Sequence, residues 1–209
     1  MSYTVEQIVN TSPVIPVIVV DELSQAAPLA QALFNGGLKV LEITLRTPVA
    51  LEAMKLMKAA VPEAIVGAGT IVSPEDVTAA IEAGADFLVS PGATDLMIDA
   101  VQAANIPMLP GVSTPSEAMH LSSRGFSFLK FFPAEAAGGV AMLKSIGGPL
   151  AKLRFCPTGG INLAKAPEYL GLPNVVCIGG TWMIPKPLVE AGDWAAIEVL
   201  AREAASLAR

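Results

Sequence analysis

Short apolar runs recur along the chain, each followed by a longer stretch in which alanine and leucine return at helical spacing. The first run, 14–20, predicts a buried strand, and the helix expected after it covers 25–35 and stops at Gly36 and Gly37. The unit then repeats with strands over 40–44, 65–68, 87–90 and 108–110, and helices beginning at Pro48, Pro74, Thr94 and Thr114. Three further strands are expected at 128–131, 154–157 and 175–178, with helices from about Gly139, Leu163 and Asp193. A short helix over 5–10 precedes them all. Eight strand–helix units at close, even spacing predict an α/β fold of the (β/α)8 TIM barrel type, in a single domain spanning residues 1–209, over an open doubly wound sheet.

Two of these strands carry charges where the pattern demands apolar residues. In the sixth, Phe128, Lys130 and Phe132 share one side and Ser127, Leu129 and Phe131 the other, so Lys130 is flanked by aromatic rings. An ammonium held there loses hydration, which favours the neutral amine, the form that attacks a carbonyl to make a Schiff base. The alternative is a lysine at the strand exit that reaches past Pro133 to water. In the second strand, Leu41, Ile43 and Leu45 fall on one side and should face helices, which turns Glu42, Thr44 and Arg46 towards the interior. A Glu42–Arg46 ion pair closing the mouth of the strand would satisfy both charges; a reaction site that also includes Lys130 is the other reading.

In a barrel of this type the loops after the C-terminal strand ends form the site. There the chain places Gly67-Ala68-Gly69-Thr70, where small residues would let a ligand approach and Thr70 offers a hydroxyl, and Ser90-Pro91-Gly92. The last two strands end in Thr158-Gly159-Gly160 and Gly179-Gly180-Thr181, positions suited to holding a phosphate through backbone N–H groups.

Composition narrows the partners. The net charge is −6 and no run of lysine or arginine occurs, so no electrostatic footprint for nucleic acid or an anionic membrane surface exists, and an anionic ligand must be gripped locally. The first residues lack the pattern of a signal peptide, and 14–20 is too short to span a bilayer, which predicts a cytoplasmic protein. Cys156 and Cys177 fall in expected strands and read as buried thiols. His120 is the only histidine and falls in an expected helix, so metal-assisted chemistry is disfavoured and no cofactor is expected. A desolvated lysine, an interior glutamate, an arginine for a carboxylate and a glycine cradle for a phosphate together suit carbon–carbon cleavage in a phosphorylated 2-keto acid, with Lys130 forming the imine and Glu42 moving the proton. Arg46 would fix the keto-acid carboxylate by a bidentate contact.

The segments 41–47, Gly67 to Thr70, Ser90 to Gly92, Lys130-Phe131-Phe132-Pro133-Ala134-Glu135, 155–161 and Cys177 to Gly180 resemble the 2-keto-3-deoxy-6-phosphogluconate aldolase family, including members that also cleave 4-hydroxy-2-oxoglutarate. The resemblance implies that Lys130 is the Schiff-base lysine and Glu42 the proton acceptor and donor, with Arg46 and Thr70 on the pyruvyl carboxylate. It also implies that Pro91 and Phe132 wall the site, that Thr158 contacts substrate, and that Gly159, Gly160, Gly179, Gly180 and Thr181 hold the phosphate. Family members often carry serine where Thr181 stands, which keeps the hydroxyl and lacks the methyl. A homotrimer is implied by the family alone. Rival readings are a sugar-phosphate isomerase or epimerase on the same barrel, a non-catalytic keto-acid or phosphate binder, and an aldolase for the galactonate epimer.

Overall fold

The computed structural model describes residues 3–208. A lead helix, α1 (Val5–Thr11), opens on a reciprocal cap in which the Thr4 hydroxyl accepts the Gln7 N–H and the Gln7 side chain accepts the Thr4 N–H. Strands and helices then alternate: β1 (Val14–Ile18), α2 (Leu23–Asn35), β2 (Val40–Thr44), α3 (Ala50–Ala60), β3 (Ile65–Gly69), α4 (Pro74–Glu82), β4 (Leu88–Val89) and α5 (Asp95–Ala104). They continue with β5 (Met108–Leu109), β6 (Gly111–Val112), α6 (Pro115–Ser123), β7 (Phe128–Phe131), α7 (Gly139–Gly147), β8 (Arg154–Pro157), α8 (Ala166–Leu170), β9 (Ile178–Gly180), α9 (Lys186–Ala191) and α10 (Trp194–Ala205).

All strand pairs are parallel, and the sheet curls. Six strands run in the order β5-β4-β3-β2-β1-β9 and three in the order β6-β7-β8. The fifth expected strand is cut in two by Pro110, which has no N–H to give to a ladder, although its carbonyl still accepts the Lys130 N–H at 2.9 Å. On the far side, isolated bridges join Phe155 to Val175 and Thr158 to Gly179.

Two apolar layers result. Leu41, Ile43, Val66, Ala68, Leu129 and Phe131 pack outward in one cluster with the helices. Ile15, Val40, Ile65, Phe87, Val89, Leu109, Cys156 and Cys177 fill the inner side, joined by Ile8 and Val9 of α1. The outward residues recur at every second position along a strand, as in Leu41 and Ile43, Val66 and Ala68, and Leu129 and Phe131.

Most boundaries shift by a residue or two, and three departures are larger. The last strand is Ile178–Gly180, later than 175–178, because Val175 is drawn into a turn by its N–H bond to the Leu172 carbonyl and keeps only one bridge. The helix expected from Leu163 starts at Ala166, since the Asn162 side chain takes the Lys165 N–H at 3.1 Å and holds a turn there. Helix α9 was not expected; Pro187 sits in its first turn, where no N–H is needed.

Candidate active site

Glu42 points inward from the middle of β2, 3% exposed, in register with Val17 of β1 and Gly67 of β3. Its carboxylate lies over the α-carbon of Gly69, where a β-carbon would stand 2.2 Å from Oε1. Glycine at 69 is therefore the residue that leaves room for the acid. Gly67 is filled in the same way by the Phe87 ring, at 2.4 Å from a β-carbon placed there. The small residues of the third strand thus accommodate the protein's own side chains, whereas the sequence suggested space for a ligand.

Lys130 enters from β7, in register with Gly111 and Cys156, and is 4% exposed. Its Nζ donates to Glu42 Oε1 at 3.3 Å and lies 5.3 Å from the centre of the Phe132 ring, within cation–π reach. Burial removes the reading in which this lysine reaches out to water. The Glu42–Arg46 pair does not form among the described residues: Arg46 is exposed, and its Nε donates to Thr70 Oγ1 at 3.1 Å. Thr70 holds φ at 62°, a left-handed conformation that a β-branched residue rarely adopts, at the end of β3. The Thr44 hydroxyl is spent on the Ile18 carbonyl at 2.9 Å, which ties β2 to β1.

Beside this pair a cavity of about 140 Å³ is bounded by Arg46, Phe132, Thr158, Gly159, Gly160, Gly179, Gly180 and Thr181, with Val17 and Ile161. Lys130 and Glu42 lie buried next to it, Lys130 against the Phe132 ring that forms part of its wall. The Thr158 hydroxyl is buried without a hydrogen-bond partner, and Gly179 makes room for it, since a β-carbon there would stand 2.2 Å from Oγ1. A buried hydroxyl left without a partner costs about 1–3 kcal/mol. Gly159 and Gly160 hold φ at 107° and 78°, so the chain turns at once after β8 in a conformation that other residues resist.

Pro91 does not line this cavity; its backbone packs on Gly111, the residue in register with Lys130, and the Gly111 N–H donates to the Ser90 hydroxyl at 3.2 Å. Val17 belongs to the site and was not singled out, although it follows Ile15 at the strand period; Gly69 and Ile161 were quoted only within longer segments. A second carboxylate, Glu135, was quoted only within a motif. It accepts hydrogen bonds from Lys165 and Tyr169, which hold its carboxyl below the usual range, while burial and then Glu135 push the Tyr169 phenol up. His120 lies on the surface and contacts Asp95 at 2.8 Å. Among the described residues, no three His, Cys, Asp or Glu side chains converge as metal ligands.

The pattern of the KDPG and KHG aldolase family matches residues 5–200. The KHG/KDPG aldolase of Escherichia coli (strain K12) is 51% identical over 199 residues, covering 95% of this chain and 93% of that protein. The 2-dehydro-3-deoxy-phosphogluconate aldolase of Dickeya dadantii is 50% identical, again over 95% of this chain and 93% of that protein. The crystal structure of KDPG aldolase from Legionella pneumophila, with pyruvate captured as a covalent carbinolamine, superposes with a TM-score of 0.94 at 47% identity, covering 96% of this chain and 97% of that one. With a matched pattern over nearly its whole length and relatives at half identity, this chain belongs to the KDPG and KHG aldolase family.

Proposed function

We propose that the protein is a class I aldolase that cleaves 2-dehydro-3-deoxy-6-phosphogluconate to pyruvate and glyceraldehyde 3-phosphate, as a single-domain enzyme in which the curled sheet closes as a (β/α)8 barrel. The observation that carries the reading is the Lys130–Glu42 contact at 3.3 Å inside an apolar wall. There the lysine amine, its extra proton handed to Glu42, adds to the substrate ketone; Glu42 returns that proton to the departing hydroxyl, which leaves as water, and a protonated imine remains. Glu42 removes the proton of the C4 hydroxyl; the C3–C4 bond breaks, its electron pair passes into the iminium to form an enamine, and the aldehyde departs. Glu42 then returns its proton to the enamine carbon, and hydrolysis of the imine releases pyruvate and the free lysine.

Arg46 keeps both terminal nitrogens for the carboxylate while Thr70 holds its Nε, so the acid end of the substrate is oriented against Lys130. Phe132 and Pro91 wall the keto-acid end, Pro91 through its packing on Gly111, the residue in register with Lys130. The Thr158 hydroxyl meets a polar group of the sugar chain, and Gly159, Gly160, Gly179, Gly180 and Thr181 receive the phosphate. The Escherichia coli relative, a KHG/KDPG aldolase, and a solved aldolase named for both substrates that superposes with a TM-score of 0.86 favour 4-hydroxy-2-oxoglutarate as a second substrate. The reading extends to a cytoplasmic protein, from the pattern of its first residues, and to a homotrimer, from the family resemblance. No helix among the described residues is long and apolar enough to cross a membrane.

Incubation with pyruvate and borohydride is the direct test. Reduction of an imine leaves a permanent mass adduct, and peptide mapping is expected to place it on Lys130. Full turnover with no adduct, or turnover that requires an added divalent ion, would contradict the proposal; an isomerase or a simple binder would also leave the lysine unmodified.

A further inference from the structure

The loop that the proposed function assigns to the phosphate does not stand alone. The N–H of Glu135 donates to the Gly159 carbonyl at 3.1 Å, and the N–H of Ala134 donates to the Thr158 carbonyl at 2.8 Å. The stem of Glu135 lies against Gly160, where a β-carbon would come within 2.7 Å of its Cγ. The glycine pair is thus seated on Glu135 by both backbone and side chain. The carboxylate end is fixed in turn: Tyr169, 1% exposed on α8, donates to Oε1, and Lys165 donates to Oε2. The Tyr169 hydroxyl also lies close beneath Gly139 at the start of α7, at 3.1 Å from a β-carbon placed there. One carboxylate therefore joins the turn after β7, the start of α7, and α8 to the loop after β8.

The charge at this point runs against expectation, because a bare carboxylate beside an anion-binding loop opposes a phosphate dianion. Lys165 offsets it. We infer that Glu135, neutralised by Lys165 and oriented by Tyr169, is a positioning residue for the phosphate end of the substrate, acting through the Gly159-Gly160 loop. The inference rests on the aldolase reading above. A role confined to holding α8 in place would predict damage to every activity alike.

The test compares the full-length wild type with Glu135→Ala, Lys165→Met and Tyr169→Phe by two readouts. One is steady-state cleavage of the phosphorylated gluconate substrate; the other is borohydride trapping of pyruvate, which carries no phosphate. In Glu135→Ala and Lys165→Met, KM for the phosphorylated substrate is expected to rise about tenfold and kcat to fall less than about threefold, with pyruvate trapping within about twofold of wild type. Inorganic phosphate, used as a competitive inhibitor, should weaken by the same factor as KM rises. Tyr169→Phe should show a smaller change in the same direction. Equal loss in both readouts, or an unmoved KM, overturns the inference. Should Glu135→Ala fail to fold, Lys165→Met carries the test, because its side chain is 45% exposed and its removal leaves the packing intact. A wild type that traps no pyruvate would sink the aldolase reading; normal trapping with phosphate affinity unchanged in the variants would sink this inference alone.

Discussion

Two glutamate–lysine pairs stand near the same cavity, and they differ in almost everything but their chemistry. Glu42 and Lys130 meet at 3.3 Å with side chains 4% and 5% exposed, and the carboxylate has Lys130 as its hydrogen-bond donor. Glu135 and Lys165 meet closely at the rim, 34% and 45% exposed, and Tyr169 adds a second donor to the same carboxylate. By number of donors the outer carboxylate is the better satisfied. Burial reverses the ranking for catalysis: the inner pair lies in an apolar wall that excludes water from the reacting groups, while a second donor holds the outer carboxylate as an anion. The inner pair is suited to reaction and the outer pair to holding shape.

Deleting the lysine of each pair should break the two sites differently, and the largest effect is expected at Lys130. Lys130→Ala should lower kcat by about 10⁴-fold or more, because the covalent intermediate is lost. It should also cost about 3–5 kcal/mol of stability in urea unfolding, since Glu42 is left as a buried carboxylate without its partner. Lys165→Met should cost no more than about 1 kcal/mol in the same measurement. Similar losses from the two variants would erase the distinction drawn here.

Within the inner pair, Glu42→Gln separates proton transfer from imine formation. Turnover should fall by about 10²–10⁴-fold, while borohydride trapping of pyruvate is far less affected. Equal damage to both steps would assign Glu42 to structure. Gly69→Ala sharpens the point without touching a reacting group. Its β-carbon would stand 2.2 Å from Glu42 Oε1, so the carboxylate must move, and kcat should fall about 100-fold with KM little changed. A wild-type kcat in this variant would show that the position of the acid is not critical.

The sequence revealed the inner pair and hid the outer one for a physical reason. A charge at an inward position of a strand breaks a period of two, so Glu42 and Lys130 were legible, as was the succession of strands and helices. Glu135 breaks no period: it lies in a turn, where a carboxylate is ordinary, and its partner Tyr169 comes from a helix 34 residues on. The same limit applies to the glycines. Sequence shows that Gly69 and Gly179 are small but not whether the space belongs to a ligand or to Glu42 and Thr158, which is a matter of packing across strands. The errors at Val175 and Leu163 have a local origin, in turns whose side-chain and backbone bonds outcompete the expected elements.

The smallest expected effect belongs to the outer pair and runs with pH. Lys165 first, then Tyr169, hold the Glu135 carboxyl below the usual glutamate value of 4.5, so around that pH the unfolded chain binds more protons at this position than the folded one. The stability contributed by Glu135 is therefore present above 4.5 and is lost as pH falls through the lower, folded value. The Tyr169 phenol, raised by burial and then by Glu135, stays protonated and donating across this range. Glu117 responds in the same direction: its burial opposes the shift, but bonds from Ser113 and Thr114 prevail. Comparing wild type with Glu135→Gln cancels that contribution. In urea unfolding between about pH 6 and about pH 3, the stability advantage of wild type should narrow as the solution is acidified. Added salt should shrink it at the upper end, because the pair is partly exposed and screened. A gap independent of pH would mean that the Glu135 carboxylate contributes through its shape alone, and the contrast with the buried pair would then rest on catalysis only.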